Sequence, residues 1–534
     1  MLELHDENPF KYRAYEKAAE QIRSYPEPLI DLTEDELEEI EGIGKNLSKK
    51  IVQIQKTGSY EELDRLVQLT PPGLLELMKI KGLGGKKIHT LWKDAGVTTP
   101  EELIEACENN QLSVLKGFGK KTQENILELV QFYFESKDQF MYAEAEYEAD
   151  KIIEFLENHK AVEKVSVSGE MRRKMPIIRQ IDILVQLKNK SKLENVLADA
   201  ELYLNVDGDK ISSAIMEIPV IFHEAEDDNW GAELLRTTGN EEHVNLLDKK
   251  SFAKAFSEED IYAKNGWPYI IPEMRENRNE KEMAEAVPAE NIVTNDDLRG
   301  CLHNHSTYSD GSGTLEQMAQ ACIDAGLEYF GIADHSQSAF YANGMKPKKV
   351  PTQWKEIDKI NKKLAPFKVF KGIESDILND GSLDYDEDIL KGFDYVVASV
   401  HSNLKMKEAD ANKRLIKAIE NPYTTILGHA TGRLLLMRKG YPIDHKKIID
   451  ACASNGVVIE VNANPRRLDM DWKWLNYAQQ KDVMISINPD AHDMNEILYM
   501  QYGVHMARKA GIAKDMVINT FPLEKIEAFF KNKK

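Results

Sequence analysis

The stretch CLHNHSTYSDG, Cys301 to Gly311, sets His303 and His305 two positions apart with Asp310 just beyond, directly after a short apolar run. Alternation along a strand turns residues i and i+2 to one face, so both imidazoles point the same way. Two neutral imidazoles with a carboxylate in the following loop make a poor core and a good start to a metal site. The same signature recurs wherever a short apolar segment ends. His335 follows YFGIAD, Glu374 closes FKVFKGIE, His401 follows YVVASV, His429 follows TILG, and Asp490 and His492 lie in ISINPDAH. Any one of these residues alone suits a core or a surface. Six segments ending this way predict convergence instead. Carboxylates gathered at one rim need cations to offset their repulsion, and imidazole lone pairs need something to ligate. Mixed nitrogen and oxygen donors suit manganese, zinc or iron better than magnesium alone.

About seven short apolar strands, each followed by a helical stretch, carry these residues, which predicts a parallel β/α barrel with its chemistry at the C-terminal rim. The full set resembles the polymerase-and-histidinol-phosphatase, or PHP, domain, and every position of its ligand pattern is filled. The resemblance implies a distorted (β/α)7 barrel holding three divalent ions, manganese or zinc, with iron as a further option. One ion would take His303, His305, Glu374 and Asp490, the catalytic set. Glu374 would bridge to a second ion held by His401 and His429, while Asp310, His335 and His492 would hold the third. The chemistry so implied is phosphoester hydrolysis by a metal-activated water. Arg433 in GHATGRLLLMRKG is expected to add a phosphate contact. Asn462 and Asn464 in EVNANPRRLD are expected to orient ligands or a terminal sugar, although a strand-end Asn also caps helices.

Near the start one pattern occurs three times: IEGIGKNLSKKI, IKGLGGKKI and LKGFGKKTQENI. Paired glycines, Gly42 and Gly44, Gly82 and Gly84, Gly117 and Gly119, flank one apolar residue each, which permits a tight helix-to-helix turn and close backbone approach to a ligand. The next helix offers free N–H groups to a phosphate oxygen. Lys45, Lys49, Lys50, Lys86, Lys87, Lys120 and Lys121 add charge there. The repeat resembles the helix-hairpin-helix motif, which implies DNA binding through the phosphate backbone without sequence readout. A helical interaction domain is the alternative.

Between these regions the text is mixed helix and strand. VEKVSVSGEMRRKMPIIRQIDILVQL resembles the palm of X-family DNA polymerases, SEEDIYAKNGWPYIIPEMRE their thumb, and NWGAELLRTTGNEEHVNLL their nucleotide-binding stretch. The resemblance implies a nucleotidyltransferase-like α+β domain, yet the polymerising residues are degraded. Nucleotidyl transfer needs carboxylates that clamp two ions about 3.5 to 4 Å apart. The family's paired aspartates read Gln180 and Asp182 here, and the third falls nearest Ile221. The Gly-Ser turn that cradles triphosphate reads Gly169-Glu170. An anion placed there repels phosphate by about 4 kcal/mol at 4 Å and an effective dielectric near 20. Arg172 and Arg173 remain to touch phosphate, and a displaced ligand from Glu217 or Glu224 would restore a metal site. Lys50 matches the Schiff-base amine of the family's deoxyribose-phosphate lyases, a role that needs a lowered pKa.

The 534-residue chain exceeds what one core organises. It is expected to divide into a hairpin region at 1–138, a palm and thumb at 139–285, a linker at 286–300 and the barrel at 301–534. Its net charge of −21 is a global sum, whereas nucleic-acid binding depends on local clusters. Cys107, Cys301, Cys322 and Cys452 are scattered, which argues for a reducing compartment and against thiolate zinc sites. The acidic start lacks the plan of a signal peptide, and no apolar run approaches the roughly 18 residues of a bilayer span. A soluble, monomeric, cytoplasmic protein without membrane contact is expected.

Taken together, the resemblances imply a DNA-repair enzyme acting on gapped, nicked or 3′-ended DNA. The expected activity is metal-dependent 3′–5′ exonuclease in the barrel, with abasic-site cleavage and 3′-phosphate removal as related reactions. Two alternatives stand. One is an active gap-filling polymerase, which would need magnesium. The other is a small-molecule phosphatase, which has no use for lysine-rich hairpins.

Overall fold

The computed structural model describes residues 1–533 except 26–28, 41, 189–190, 201–202, 209 and 227; Glu41 of the first hairpin therefore lies outside the described residues. The chain forms two compact units, Met1–Asp138 and Gln139–Lys534.

The first unit is helical. Its three repeats open helices α1 (Lys45–Thr57), α2 (Gly85–Ala95) and α3 (Lys120–Ser136), each N-capped by the second glycine of its pair. The first glycines, Gly42, Gly82 and Gly117, have φ of 91°, 88° and 88°. A residue with a Cβ would lose about 1 to 2 kcal/mol in that left-handed region. The apolar residue between each pair, Ile43, Leu83 or Phe118, is buried. It plugs the turn into the local core and leaves the glycine backbone at the surface.

The second unit begins with a three-stranded sheet of β1 (Val162–Val167), β2 (Ile181–Leu187) and β3 (Val220–Glu224), ordered β1-β2-β3. β1 runs antiparallel to β2, and β3 parallel to it. Central β2 is covered on both faces: Ile181, Ile183 and Val185 are fully buried on one, and Leu184 is fully buried between the polar Asp182 and Gln186 on the other. Helix Tyr142–Asn158 packs Ala145, Ala149, Ile152 and Leu156 against this sheet.

A helical segment follows, centred on the buried Glu258. Arg172 Nη1 and Nη2 donate to its two oxygens at 2.7 and 2.8 Å, and Arg275 does so at 2.5 and 3.1 Å. Burial would raise the Glu258 pKa, but the two guanidiniums outweigh it and bring it down to about 2. The ion-pair contribution is therefore present above the ordinary value of 4.5 and lost as pH falls toward 2. Glu258→Gln is expected to cost about 3 kcal/mol at neutral pH, because it strands buried positive charge. Melting curves of both proteins check this: the difference in Tm should shrink below about pH 4.5.

The barrel comprises β4 (Gly300–Leu302), β5 (Tyr329–Ile332), β6 (Lys368–Asp376), β7 (Tyr395–Ser399), β8 (Ile426–Leu427), β9 (Val458–Asn462) and β10 (Ile485–Asn488). They lie in chain order with every neighbouring pair parallel. The expected seven-stranded barrel is thus present, closed by a seam and not by a ladder. At the seam the His305 amide donates to Ala491 O at 2.8 Å and the Leu302 amide to Asn488 Oδ1 at 3.0 Å. Tyr329, Phe370 and Tyr395 fill the interior with Phe521 and Phe530. Gly331 and Gly372 make room, since a Cβ at either would come within 2.4 Å of Tyr395 side-chain atoms.

Lys509, at the end of helix Met500–Lys509, joins the barrel to the preceding segment. Its buried ammonium donates to Arg173 O, Glu273 O and Glu276 Oε1 at 2.9, 3.1 and 2.8 Å, and burial lowers its pKa to about 8. Among the described residues no helix is long and apolar enough to cross a membrane.

Candidate metal centre

The strand ends deliver their polar residues to one buried cage. Glu374, on β6, lies at its middle and is 1 % exposed. Its Oε1 lies 3.2 Å from His303 Nε2, 3.1 Å from His401 Nε2 and 2.9 Å from His429 Nε2. Its Oε2 lies 2.7 Å from His335 Nδ1 and 3.7 Å from His305 Nε2. Asp490 Oδ1 is 3.0 Å from His305 Nε2 and 3.5 Å from His303 Nε2. Asp310 Oδ1 is 3.7 Å from His335 Nε2 and 3.5 Å from His492 Nε2, and both Asp310 and His492 are about one-third exposed. The cage is therefore deep around Glu374 and open at Asp310 and His492.

All nine strand-end residues converge, and their ligand atoms fall into four overlapping groups, each within 4.8 Å. These are His305, Asp310, His335 and His492; His303, His305 and Asp490; His303, Glu374 and His429; and His335, Glu374 and His401. The expected division paired His401 with His429. Both do approach Glu374 Oε1, but each stands in a group with a different imidazole. His305 reaches the outer group as well as the inner one.

The donor atoms fit divalent cations. His303 Nε2, His305 Nδ1, His335 Nδ1, His429 Nδ1 and Glu374 Oε2 are buried without an aligned hydrogen-bond partner. Buried polar atoms are rarely left so. His335 Nδ1 and Glu374 Oε2 approach to 2.7 Å without the alignment of a hydrogen bond, an approach suited to two ligands of one ion. The backbone is strained at two of these residues, with φ of 129° at His303 and 54° at Asp490. Such strain collects where structure serves function.

Charge inside the cage is unevenly shared. Burial lowers the pKa of His305, and His492 and His335 lower it further. Burial opposes a charged His303, but Glu460, Glu374 and Asp490 outweigh it and raise its pKa well above 6.5. Burial likewise opposes a charged Glu374, yet His401, His303 and His335 hold its pKa well below 4.5.

Several side chains outside the nine position the ligands. Glu460, fully buried on β9, receives His303 Nδ1 at 2.7 Å, the His429 amide at 2.8 Å and Asn488 Nδ2 at 2.9 Å. Asp376 holds His401 Nδ1 at 2.6 Å. These carboxylates turn Nε2 of each ring into the cage and raise its basicity. Asn462 donates to Asp490 Oδ2 at 3.0 Å, whereas Asn464 accepts from the Arg466 amide and shapes its loop. Glu460→Gln is expected to weaken metal affinity by about 10- to 100-fold, measurable by competition with a chromogenic chelator.

Arg433 does not supply the expected phosphate contact. Its guanidinium is engaged by Arg467 O, Leu468 O and Asp471 Oδ2, which pins the loop after β9. Arg467 instead reaches the cage, with Nε 3.4 Å from Asp490 Oδ2.

The middle sheet presents a weaker site. Asp182 and Ile221 are partners across β2 and β3. Gln180 Nε2 and His223 Nε2 both contact Asp182 Oδ1, at 2.8 and 3.0 Å. Gly169 has φ of 55°, and a Cβ there would fall 2.2 Å from Asp182 Oδ2. Glu170 folds back to accept the Arg179 amide at 2.8 Å. Arg172 and Arg173, expected to remain available to phosphate, are spent on Glu258, Glu276 and Thr238. Glu217 is exposed ahead of β3, and Glu224 pairs with Val185 at its far end. Among the described residues no group of three ligand atoms includes Asp182.

In the first unit Gly44, Gly84 and Gly119 cap their helices without a side-chain hydrogen bond, and nothing lies within 4 Å of where their Cβ atoms would be. Lys45, Lys49, Lys86, Lys87, Lys120 and Lys121 are exposed. Lys50 differs. Its ammonium is 2.6 Å from Glu62 Oε2 and also contacts the Tyr15 hydroxyl. Burial lowers its pKa, but Glu62 and Tyr15 outweigh this and raise it. That environment keeps the amine protonated and opposes imine formation.

Known proteins resemble the chain in the same pattern. Residues 1–60 match the helix-hairpin-helix domain family, 74–129 the SAM-like helix-hairpin-helix tandem, and 302–464 the PHP domain. The Bacillus subtilis protein named DNA polymerase/3′-5′ exonuclease PolX is 34% identical over 556 residues, covering 99% of this chain and 97% of that protein. A probable phosphatase of Thermoanaerobacter sp. is 29% identical over 246 residues, covering 43% of this chain and 94% of its own. Among solved structures, a histidinol phosphate phosphatase from Lactococcus lactis complexed with zinc, histidinol and phosphate is 18% identical. It covers 40% of this chain and 94% of its own, with a TM-score of 0.34.

Proposed function

This chain belongs to the PolX family, and on that footing we propose that its barrel is a metal-dependent 3′–5′ exonuclease on DNA, while its middle domain has weak or no polymerase activity. One observation carries the reading. Two orphaned buried nitrogens, His303 Nε2 and His335 Nδ1, face Glu374 at the middle of the cage, whereas Asp182 alone remains where polymerisation wants three carboxylates.

Manganese, zinc or iron, bound by the nine strand-end residues, would acidify a water and polarise the phosphodiester. The protein's own part is to hold those ligands still and admit the strand. Glu460 and Asp376 fix the tautomers and ring planes of His303 and His401. Arg467 places a positive charge beside Asp490, where it offsets the negative charge that a phosphate brings. The open side at Asp310 and His492 admits the 3′ end. In the first unit the capping glycines and exposed lysines grip the backbone of gapped or nicked DNA. Removal of 3′-terminal phosphates and cleavage at abasic sites use the same chemistry.

A 5′-labelled gapped duplex tests this, incubated with the full chain and manganese, with and without nucleotides. Shortening of the primer is expected under both conditions. Robust extension with magnesium and nucleotides would overturn the reading of Gln180 and Ile221, and an unchanged primer would overturn the reading of the barrel.

A further inference from the structure

We propose that Phe340 and Tyr341 form a stacking platform at the mouth of the cage for the terminal bases of an unpaired 3′ strand, so that the barrel selects frayed over paired ends. The inference rests on the reading of the barrel as a DNA exonuclease and adds what that site recognises.

Phe340 is 87% exposed and Tyr341 63%. Single exposed apolar residues are ordinary, but this pair occupies a particular place. The Tyr341 ring centroid lies 6.3 Å from that of His335 and 6.5 Å from that of His401, both candidate ligands. Phe340 continues the surface outward, with its centroid 6.2 Å from that of Tyr341. The two rings thus lead from solvent to the ligands.

Their exposure is held in place by the loop. Ala339 and Ala342 on either side are buried. The Met345 amide donates to His335 O at 2.7 Å, the Gly344 amide to Ala339 O at 2.9 Å, and Asn343 Nδ2 to Ser309 O at 3.2 Å. A Cβ on Gly344 would fall 2.1 Å from Ser336 O, so the loop closes tightly on itself. A hydrogen-bonded loop that anchors its small residues and presents its two largest to water gains little for its own stability. Lys346, Lys348 and Lys349 follow on the same loop and are exposed, a charge suited to the phosphates between stacked bases. Aromatic faces beside basic residues are the usual means of holding single strands, because every base has a π face. A base paired in a duplex is stacked on its own neighbours and cannot use them.

The test joins a binding readout to a rate. An oligonucleotide with 2-aminopurine at its 3′ terminus is mixed with the full chain in EDTA, where no hydrolysis occurs. Quenching on binding is expected for the parent and for the conservative F340W and Y341F variants, and should be largely lost in an F340A/Y341A double variant. With manganese, the parent should trim an unpaired end faster than a paired one, and the double alanine variant should lose roughly 5- to 100-fold of that preference, the worth of a base–aromatic stack. Replacing the last two bases by abasic analogues should abolish the difference between parent and variant. Equal quenching and equal preference in the double variant would overturn the proposal, including the case where these rings receive a protein partner instead. If the parent shortens no DNA, the exonuclease reading fails by itself, while the quenching measured in EDTA still decides whether the platform holds bases.

Discussion

Glu374→Gln should end trimming of 3′ ends, with turnover lowered by roughly a thousandfold or more. Glu374 is the carboxylate around which the cage is built, within 3.2 Å of His303, His335, His401 and His429. Glutamine keeps its shape and removes its charge. The cage would lose the anion at its middle, and ions held there would lose several kcal/mol of charge stabilisation, where about 1.4 kcal/mol is tenfold in rate. The measurement is shortening of a 5′-labelled strand with saturating manganese, beside retention of the same DNA at low salt. Binding should persist, because the hairpins of the first unit carry it. A rate within tenfold of the parent would place the chemistry elsewhere.

The second large effect concerns that grip. Replacing Lys45, Lys49, Lys86, Lys87, Lys120 and Lys121 together by alanine should weaken binding to gapped duplex by about 100- to 1,000-fold near 0.1 M salt. Each lost phosphate contact should also flatten the dependence of log affinity on log salt by about 0.9. All six are exposed at the starts of helices whose capping glycines leave open space for a phosphate. Lys50 is left out because Glu62 already holds it. Hydrolysis of a small aryl phosphodiester should be unaltered, which separates grip from chemistry. An unchanged salt slope would mean that these helices face something other than a phosphate backbone.

Much of this architecture was legible in the residues because it rests on short-range rules. Paired glycines with an apolar residue between them can serve few turns, and the shared φ near 90° at Gly42, Gly82 and Gly117 is the one such a turn needs. Polar residues closing apolar strands of a parallel barrel share a rim by geometry, so the convergence of His303, Glu374 and Asp490 could be read from spacing. Glu460 could not be assigned in the same way, although a carboxylate within VVIEVN was a visible signal. Whether a buried acid ligates an ion or holds an imidazole depends on which ring reaches it across the barrel. Arg433 and Arg467 make the same point. Both lie on rim loops, and Arg433 is drawn inward by carbonyls more than thirty residues further along the chain. The division of ligands between ions turns on differences of an ångström, which no spacing encodes.

The buried ammonium of Lys509 bears on how this protein can be dissected. Its acceptors, the carbonyls of Arg173 and Glu273 and the carboxylate of Glu276, all precede the barrel. A fragment cut at Gly300 would lose every one of them and leave a cationic stub against newly bared apolar surface. Water would solvate that freed ammonium, but such a piece would need polar replacements on the bared apolar surface before it could stand by itself. The middle domain is therefore a structural support of the barrel, whatever chemistry it has kept of its own.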